Sequence, residues 1–94
     1  MILDDIIELR REIHKHPEIS NNEFKTSERI TDFISKFNPD EIIKLRNTGR
    51  AFVFNGKSPG KTLMFRAELD ALPILENTSL EYSSINNNVA HSCG

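Results

Sequence analysis

The sequence has little with which to staple, anchor or polarise a fold. It holds one cysteine, Cys93, in 94 residues. A lone thiol cannot close an internal disulfide, which excludes the stapled secreted module. No apolar run approaches the roughly 18–20 residues needed to span a bilayer. The opening Met1-Ile-Leu-Asp-Asp-Ile-Ile-Glu8 carries acids where a signal peptide would carry Lys or Arg. Charge of one sign is also missing: 12 Lys and Arg stand against 14 Asp and Glu, for a net charge of -2. That balance excludes a strongly basic nucleic-acid footprint. Tryptophan is absent, and apolar residues make up only 37% of the chain, so any core is small. A single soluble, cytoplasmic domain with no nucleic-acid and no membrane partner is the expectation from these absences.

What is present begins with helical patterning. Ile2, Ile6, Leu9 and Ile13 recur at three- and four-residue steps, with Leu3 and Ile7 widening the stripe. Pro17 disfavours helical geometry at His16 and should end this helix. Ser20-Asn-Asn-Glu23 fits a capping box, with Ile19 and Phe24 placed as a hydrophobic staple. A second stripe runs through Phe24, Ser27, Ile30, Phe33, Ile34 and Phe37 until Asn38-Pro39 stops it. The period then changes to that of strands. Ile42–Arg46, Ala51–Phe54 and Thr62–Phe65 are strand candidates, with a turn at Asn47-Thr-Gly49 and turn-dense Asn55–Gly60 between the last two. Those last two runs are predicted to form a β-hairpin or neighbouring strands. From Asp70 onward no period is sustained, and residues 76–94 are expected to be loop, a candidate for disorder.

Three places could carry chemistry. His14-Lys-His-Pro-Glu18 ends the first helix. Its histidines do not share a helix face, and a polar helix terminus complementing the dipole is the plainer account of them. Arg66-Ala-Glu-Leu-Asp-Ala-Leu-Pro73 follows a predicted strand, where α/β sheets place ligands. In extended geometry Glu68 and Asp70 project from one face, which suits a hard cation or an orienting role toward a histidine ligand. On spacing alone, both acids facing solvent beside Arg66 is the plainer account. His91-Ser-Cys-Gly94 offers imidazole and thiol donors, half of a tetrahedral site at most; an inert free thiol is the plain alternative. No Ser-based nucleophile elbow occurs, and no helical pattern follows Gly56 or Gly60 for a phosphate loop to dock on.

The order of these segments says more than any one of them. Arg10-Arg-Glu-Ile-His-Lys-His-Pro-Glu18, Glu23, Thr48-Gly49, Arg66-Ala-Glu-Leu-Asp-Ala-Leu-Pro-Ile74 and Ala90-His-Ser-Cys-Gly94 together resemble the start of one enzyme family. It is the amidohydrolase branch of the zinc-dependent aminoacylase and carboxypeptidase superfamily, which includes hippurate hydrolases and N-acyl-amino-acid and indole-acetyl-amino-acid amidohydrolases. The resemblance covers nearly the whole chain but only an N-terminal part of a family member. It implies that Cys93 is a thiolate metal ligand and that Asp70 orients ligands and supports the base. Glu68, His91 and Arg66 would line the site. His16, Pro17 and Glu18 match a recurrent segment with a structural role. In that family two divalent ions, zinc or manganese, activate a water that attacks the amide of an N-acyl amino acid.

The same resemblance marks what is missing. The family motif continues after Cys-Gly as His-Asp-x-His, and the paired glutamates that supply a ligand and the general base have no counterpart here; the general base is therefore none in this chain. Arg50 stands where a small apolar residue is common. The implied fold is α/β: two N-terminal helices packed on a short β-sheet, an incomplete part, spanning residues 1–94, of a zinc-aminopeptidase-like three-layer catalytic domain. As a fragment arising by truncation, frameshift or a split reading frame, it is expected to be inactive alone and not to hold its metals stably. The alternative is a non-catalytic small α/β interaction module, self-associating through unpaired sheet edges.

Overall fold

The computed structural model describes residues 1–93. Helix α1 spans Ile2–Lys15. Asp4 and Asp5 lie in its first turn and His14 and Lys15 in its last, each sign at the favourable end of the dipole. His16 closes it at φ -116 and ψ 67, with its N–H donating to the Glu12 carbonyl at 3.1 Å. The stop falls where Pro17 requires it.

Helix α2 spans Phe24–Ser35. Its start departs from the capping box. Asn21 takes a left-handed φ of 68, and the Asn22 N–H turns back to the Ile19 carbonyl at 3.0 Å. This turn uses up Ser20–Asn22, so the N-cap is Glu23 rather than Ser20, and Glu23 makes no side-chain cap bond. The cap comes from Glu18 instead. Its carboxylate accepts the Thr26 N–H at 2.5 Å, the Thr26 hydroxyl at 2.6 Å and the Lys25 N–H at 3.2 Å. At the far end Asn38, at φ 55, turns the chain into Pro39.

Strands β1 (Glu41–Leu45) and β2 (Gly49–Val53) form an antiparallel pair with Ile43 opposite Ala51. The hairpin therefore joins the first two strand candidates across Arg46-Asn-Thr48. Arg46 carries a left-handed φ of 57, and the Arg50 guanidinium fastens the turn by donating to the Gly49 carbonyl at 2.7 Å. Arg50 thus has a structural task in the turn. The expected pairing of Ala51–Phe54 with Thr62–Phe65 does not form. Thr62–Phe65 makes no ladder; the sheet is the two-stranded pair β1–β2 alone, and the second edge of β2 stays unpaired.

Gly49 is required at the register position facing Leu45. A Cβ built there would lie 2.7 Å from the Leu45 carbonyl oxygen and 3.0 Å from its Cβ. Gly49→Ala is expected to cost about 1–3 kcal/mol through this overpacking, read as faster amide exchange across the hairpin. Exchange at Ile43 and Ala51 as slow as in the parent would contradict the clash.

Helix α2 packs against β2 and α1 packs against α2, so the helices lie to one side of the short sheet. Two single bridges bring the last third of the chain back to this body. Ile19 pairs in parallel with Ala71, and Leu72 pairs antiparallel with Ala90. The interior they close is small: Pro17, Thr26, Ser27, Ala71 and Ala90 are the buried residues. Ile2, Leu3, Leu63, Met64 and Phe65 are all exposed. The accessible surface of 7717 Å² exceeds by about 2,200 Å² that of a compact monomer of this mass. The radius of gyration is 15.0 Å, against about 12 Å for a compact domain of this length.

Candidate functional site

The two bridges decide which chemical groups meet. The Ala71 N–H donates to the Glu18 carbonyl at 2.7 Å, which pins the chain just after Asp70 to the loop between the helices. Leu72 and Ala90 exchange both of their backbone hydrogen bonds, at 2.8 and 2.9 Å. Asp70 and His91 are thereby carried on neighbouring segments, each half-buried. Small side chains make this possible: Ala71 and Ala90 are 3% and 0% exposed, and larger residues would hold the segments apart.

His91 is the most perturbed member. Its Nε2 is buried with no hydrogen-bond partner among the described residues. Burial pushes the imidazole below its ordinary range, the charge of His14 lowers it further, and the Asp70 carboxylate opposes both. A neutral imidazole with a free nitrogen is the form that can ligate a metal. The His14 ring lies 6.3 Å away, tilted by 35°.

The remaining candidates are placed differently. Cys93 is exposed with a free thiol. Arg66 and Glu68 are exposed and paired with each other, Nη2 to Oε1 at 3.2 Å. Spacing alone put Glu68 and Asp70 on one face; in the structure Asp70 turns into the bridge region while Glu68 stays at the surface. The chemistry of the donors suits a borderline-soft divalent cation, since a thiol and an unpartnered imidazole nitrogen lie two residues apart. The set is nonetheless too small to hold one. Among the described residues, no three His, Cys, Asp or Glu side chains gather as a metal-holding group. Two shallow depressions run along α1, and neither includes Asp70, His91 or Cys93.

A polar cluster beside this site involves residues that pattern reading did not single out. Glu76 accepts from His14 Nε2 at 2.9 Å, from the Ser84 N–H at 2.8 Å and from the Thr78 hydroxyl. The Thr78 hydroxyl foremost, then the Ser84 amide and His14, hold the Glu76 carboxyl down at about 2 against opposition from burial. Tyr82 stands edge-on to His14, with its ring 4.7 Å from the Arg11 guanidinium. His14 and Glu76 are 62 residues apart, and no local pattern links them.

No family model matches the chain. Among solved structures it is similar to the YXEP protein of Bacillus subtilis, a dinuclear metal-binding peptidase of the M20 family. The two are 33% identical, with a TM-score of 0.88, over 96% of this chain and 26% of that one. The chain therefore spans about a quarter of the length of the structure it matches. Its two helices and two-stranded antiparallel sheet correspond to a fragment of an M20 peptidase domain. This likeness supports the wider metallopeptidase superfamily and its hydrolase fold. No helix is long and apolar enough to cross a membrane among the described residues.

Proposed function

We propose that this chain supplies the N-terminal quarter of a metal-dependent amidohydrolase acting on N-acyl amino acids. The observation that carries the reading is the Leu72–Ala90 bridge: it gathers Asp70, His91 and the approach to Cys93 within a fold 33% identical to a dinuclear metal-binding peptidase. In this reading the Cys93 thiolate is a ligand to zinc or manganese, and Asp70 orients neighbouring donors. The bound metals would supply electrophilic activation of the amide carbonyl. The further donors and the general base come from residues other than these 94, because the donors present are too few to form a centre. The 94-residue chain alone should retain metal weakly and below one equivalent, and should release no amino acid from an N-acyl substrate.

Grafting residues 1–94 in place of the matching quarter of the Bacillus subtilis protein tests the assignment. The graft is expected to bind two metal ions and to hydrolyse an N-benzoyl amino acid. Cys93→Ala in the graft should lower metal content by about one equivalent and activity by at least about a hundredfold, with the circular dichroism spectrum unchanged. A folded graft that keeps both ions and full activity after Cys93→Ala would refute the thiolate role. A folded, metal-loaded graft without amidase activity would refute the substrate class.

A second reading, a non-catalytic interaction module that pairs with a second copy of itself, is favoured by one feature. Leu63, Met64 and Phe65 are 77%, 89% and 92% exposed, and no backbone hydrogen bond within the described residues reaches 61–70. The surface excess of about 2,200 Å² per chain would let two copies bury an area in the range of obligate homodimers.

A further inference from the structure

The loop that carries His91 and Cys93 is not tied down by the sheet. Between Leu75 and Val89 it contains no helix or strand, and its attachment to the body runs through the end of α1. The Ile85 N–H donates to the Lys15 carbonyl at 3.0 Å, on the last residue of α1. One residue earlier, His14 meets Glu76, whose side chain is only 7% exposed. Glu76 in turn gathers the loop on itself, since the Ser84 N–H and the Thr78 hydroxyl both donate to it. The Ser84 hydroxyl passes the constraint on by donating to the Val89 carbonyl at 2.7 Å, directly before the bridged Ala90. Tyr82 closes the outer side against the His14 ring and the Arg10 and Arg11 guanidinium groups.

We propose that Glu76 and His14 are positioning residues: their contact docks the 76–90 loop on the end of α1 and so sets His91 beside Asp70. The inference rests on the site described under the proposed function, and it concerns a separate property of the chain, its geometry before any metal binds. The chain of contacts is continuous. It runs from His14 to Glu76, from Glu76 to the Ser84 amide, from the Ser84 hydroxyl to Val89, and from Ala90 to Leu72, two residues from Asp70. Glu76 suits the task chemically. An ionised carboxylate accepts several bonds at once, and charge-assisted bonds are stronger than neutral ones. His14 is also the ring that faces His91, so releasing Glu76 would disturb the surroundings of His91 directly.

The test is amide exchange followed by NMR on the full 94-residue chain, comparing Glu76→Ala, His14→Ala and His14→Gln with the parent. In both alanine variants the Ser84, Ala90 and Leu72 amides should exchange at least about tenfold faster. The Ile43 and Ala51 amides of the hairpin should stay within about twofold, because the clamp does not touch them. His14→Gln returns a donor near the Nε2 position and should recover most of the protection at Ala90. A further signature is the His91 ring-proton resonances at fixed pH, which should shift in the alanine variants and return in His14→Gln. Tyr82, the only tyrosine in a chain without tryptophan, reports loop release by its fluorescence. Uniform acceleration that includes the hairpin would reduce both residues to general stabilisers and overturn the proposal. So would unchanged exchange at Leu72 and Ala90, or no recovery in His14→Gln. These outcomes are independent of the metal-content arm of the graft experiment, so failure of the clamp and failure of the metal assignment are told apart.

Discussion

Replacing Glu18 by alanine is expected to destabilise the chain by about 2–4 kcal/mol, more than any other single surface substitution. The carboxylate accepts three bonds at the start of α2, from both donors of Thr26 and from the Lys25 amide. Thr26 is 0% exposed, so without Glu18 its N–H and hydroxyl would be left buried without partners, at a cost of about 1–3 kcal/mol. Loss of the helix cap adds about 1 kcal/mol. Urea titration followed by far-ultraviolet circular dichroism measures the sum, and Glu18→Gln, which keeps one acceptor oxygen, should fall between parent and alanine. A shift below about 0.5 kcal/mol in the alanine variant would mean that Thr26 finds water instead. The same contact predicts a pH dependence. Partial burial raises the Glu18 carboxyl, but the Thr26 side-chain and backbone bonds, the Lys25 amide and the Arg29 charge outweigh it and hold it below the ordinary value of 4.5. A depressed folded-state value means that the contribution is complete above pH 4.5 and is lost as pH falls through the folded-state value. Glu18→Ala should remove that part of the acid sensitivity.

Glu18 also shows where sequence reading reached its limit. The end of α1 before Pro17 was legible, because proline acts within two residues of itself; α2 stops at Ser35, ahead of the expected stop at Asn38-Pro39. The cap of α2 was not legible. Ser20-Asn-Asn-Glu23 satisfies the local signature, yet the left-handed Asn21 diverts the chain and a carboxylate five residues before the N-cap takes over. The structural role read for the His16–Glu18 segment from family resemblance now has a physical content in that cap. Strand positions 42–46 and 51–54 were visible as apolar runs, but pairing was not. Which runs pair depends on a three-residue turn that needs Arg46 at positive φ and on Gly49 admitting the Leu45 carbonyl.

For the candidate site the division is similar. Asp70 and Cys93 could be named because they stand in motifs whose order is recognisable. The approach of Asp70 to His91 depends on Ala71 and Ala90, two residues whose importance is that they are small. His14 and Glu76 could not be joined by any window, since 62 positions separate them and the chain from Asp70 onward has no period. The orphaned nitrogen of His91 is a property of packing and has no sequence signature.

The second large effect concerns the exposed run. Leu63-Met-Phe65 is continuously apolar rather than alternating, the pattern of a strand covered on both faces. Here it has neither face covered and neither edge paired. Unpaired backbone groups beside exposed apolar side chains template association with another strand. The isolated chain is therefore expected to self-associate at micromolar concentration, with a sedimentation coefficient that rises with loading. Phe65→Lys should weaken that association at least about a hundredfold. Withdrawing one phenylalanine ring from each of two symmetry-related sites forfeits about 1.5–3 kcal/mol per site, and 1.4 kcal/mol is tenfold in the dissociation constant. Ile42→Lys, at an apolar position on β1 that is 42% exposed against 92% for Phe65, separates a specific seam from general stickiness: it should leave the constant within about threefold if the 62–65 run is the contact. A monomeric parent at all concentrations would remove the case for a self-pairing module. Dissociation of the parent's oligomers when the chain is grafted into the longer Bacillus subtilis framework would instead mark the run as a face that the rest of a catalytic domain covers. The two readings of function thus differ in what occupies one four-residue segment.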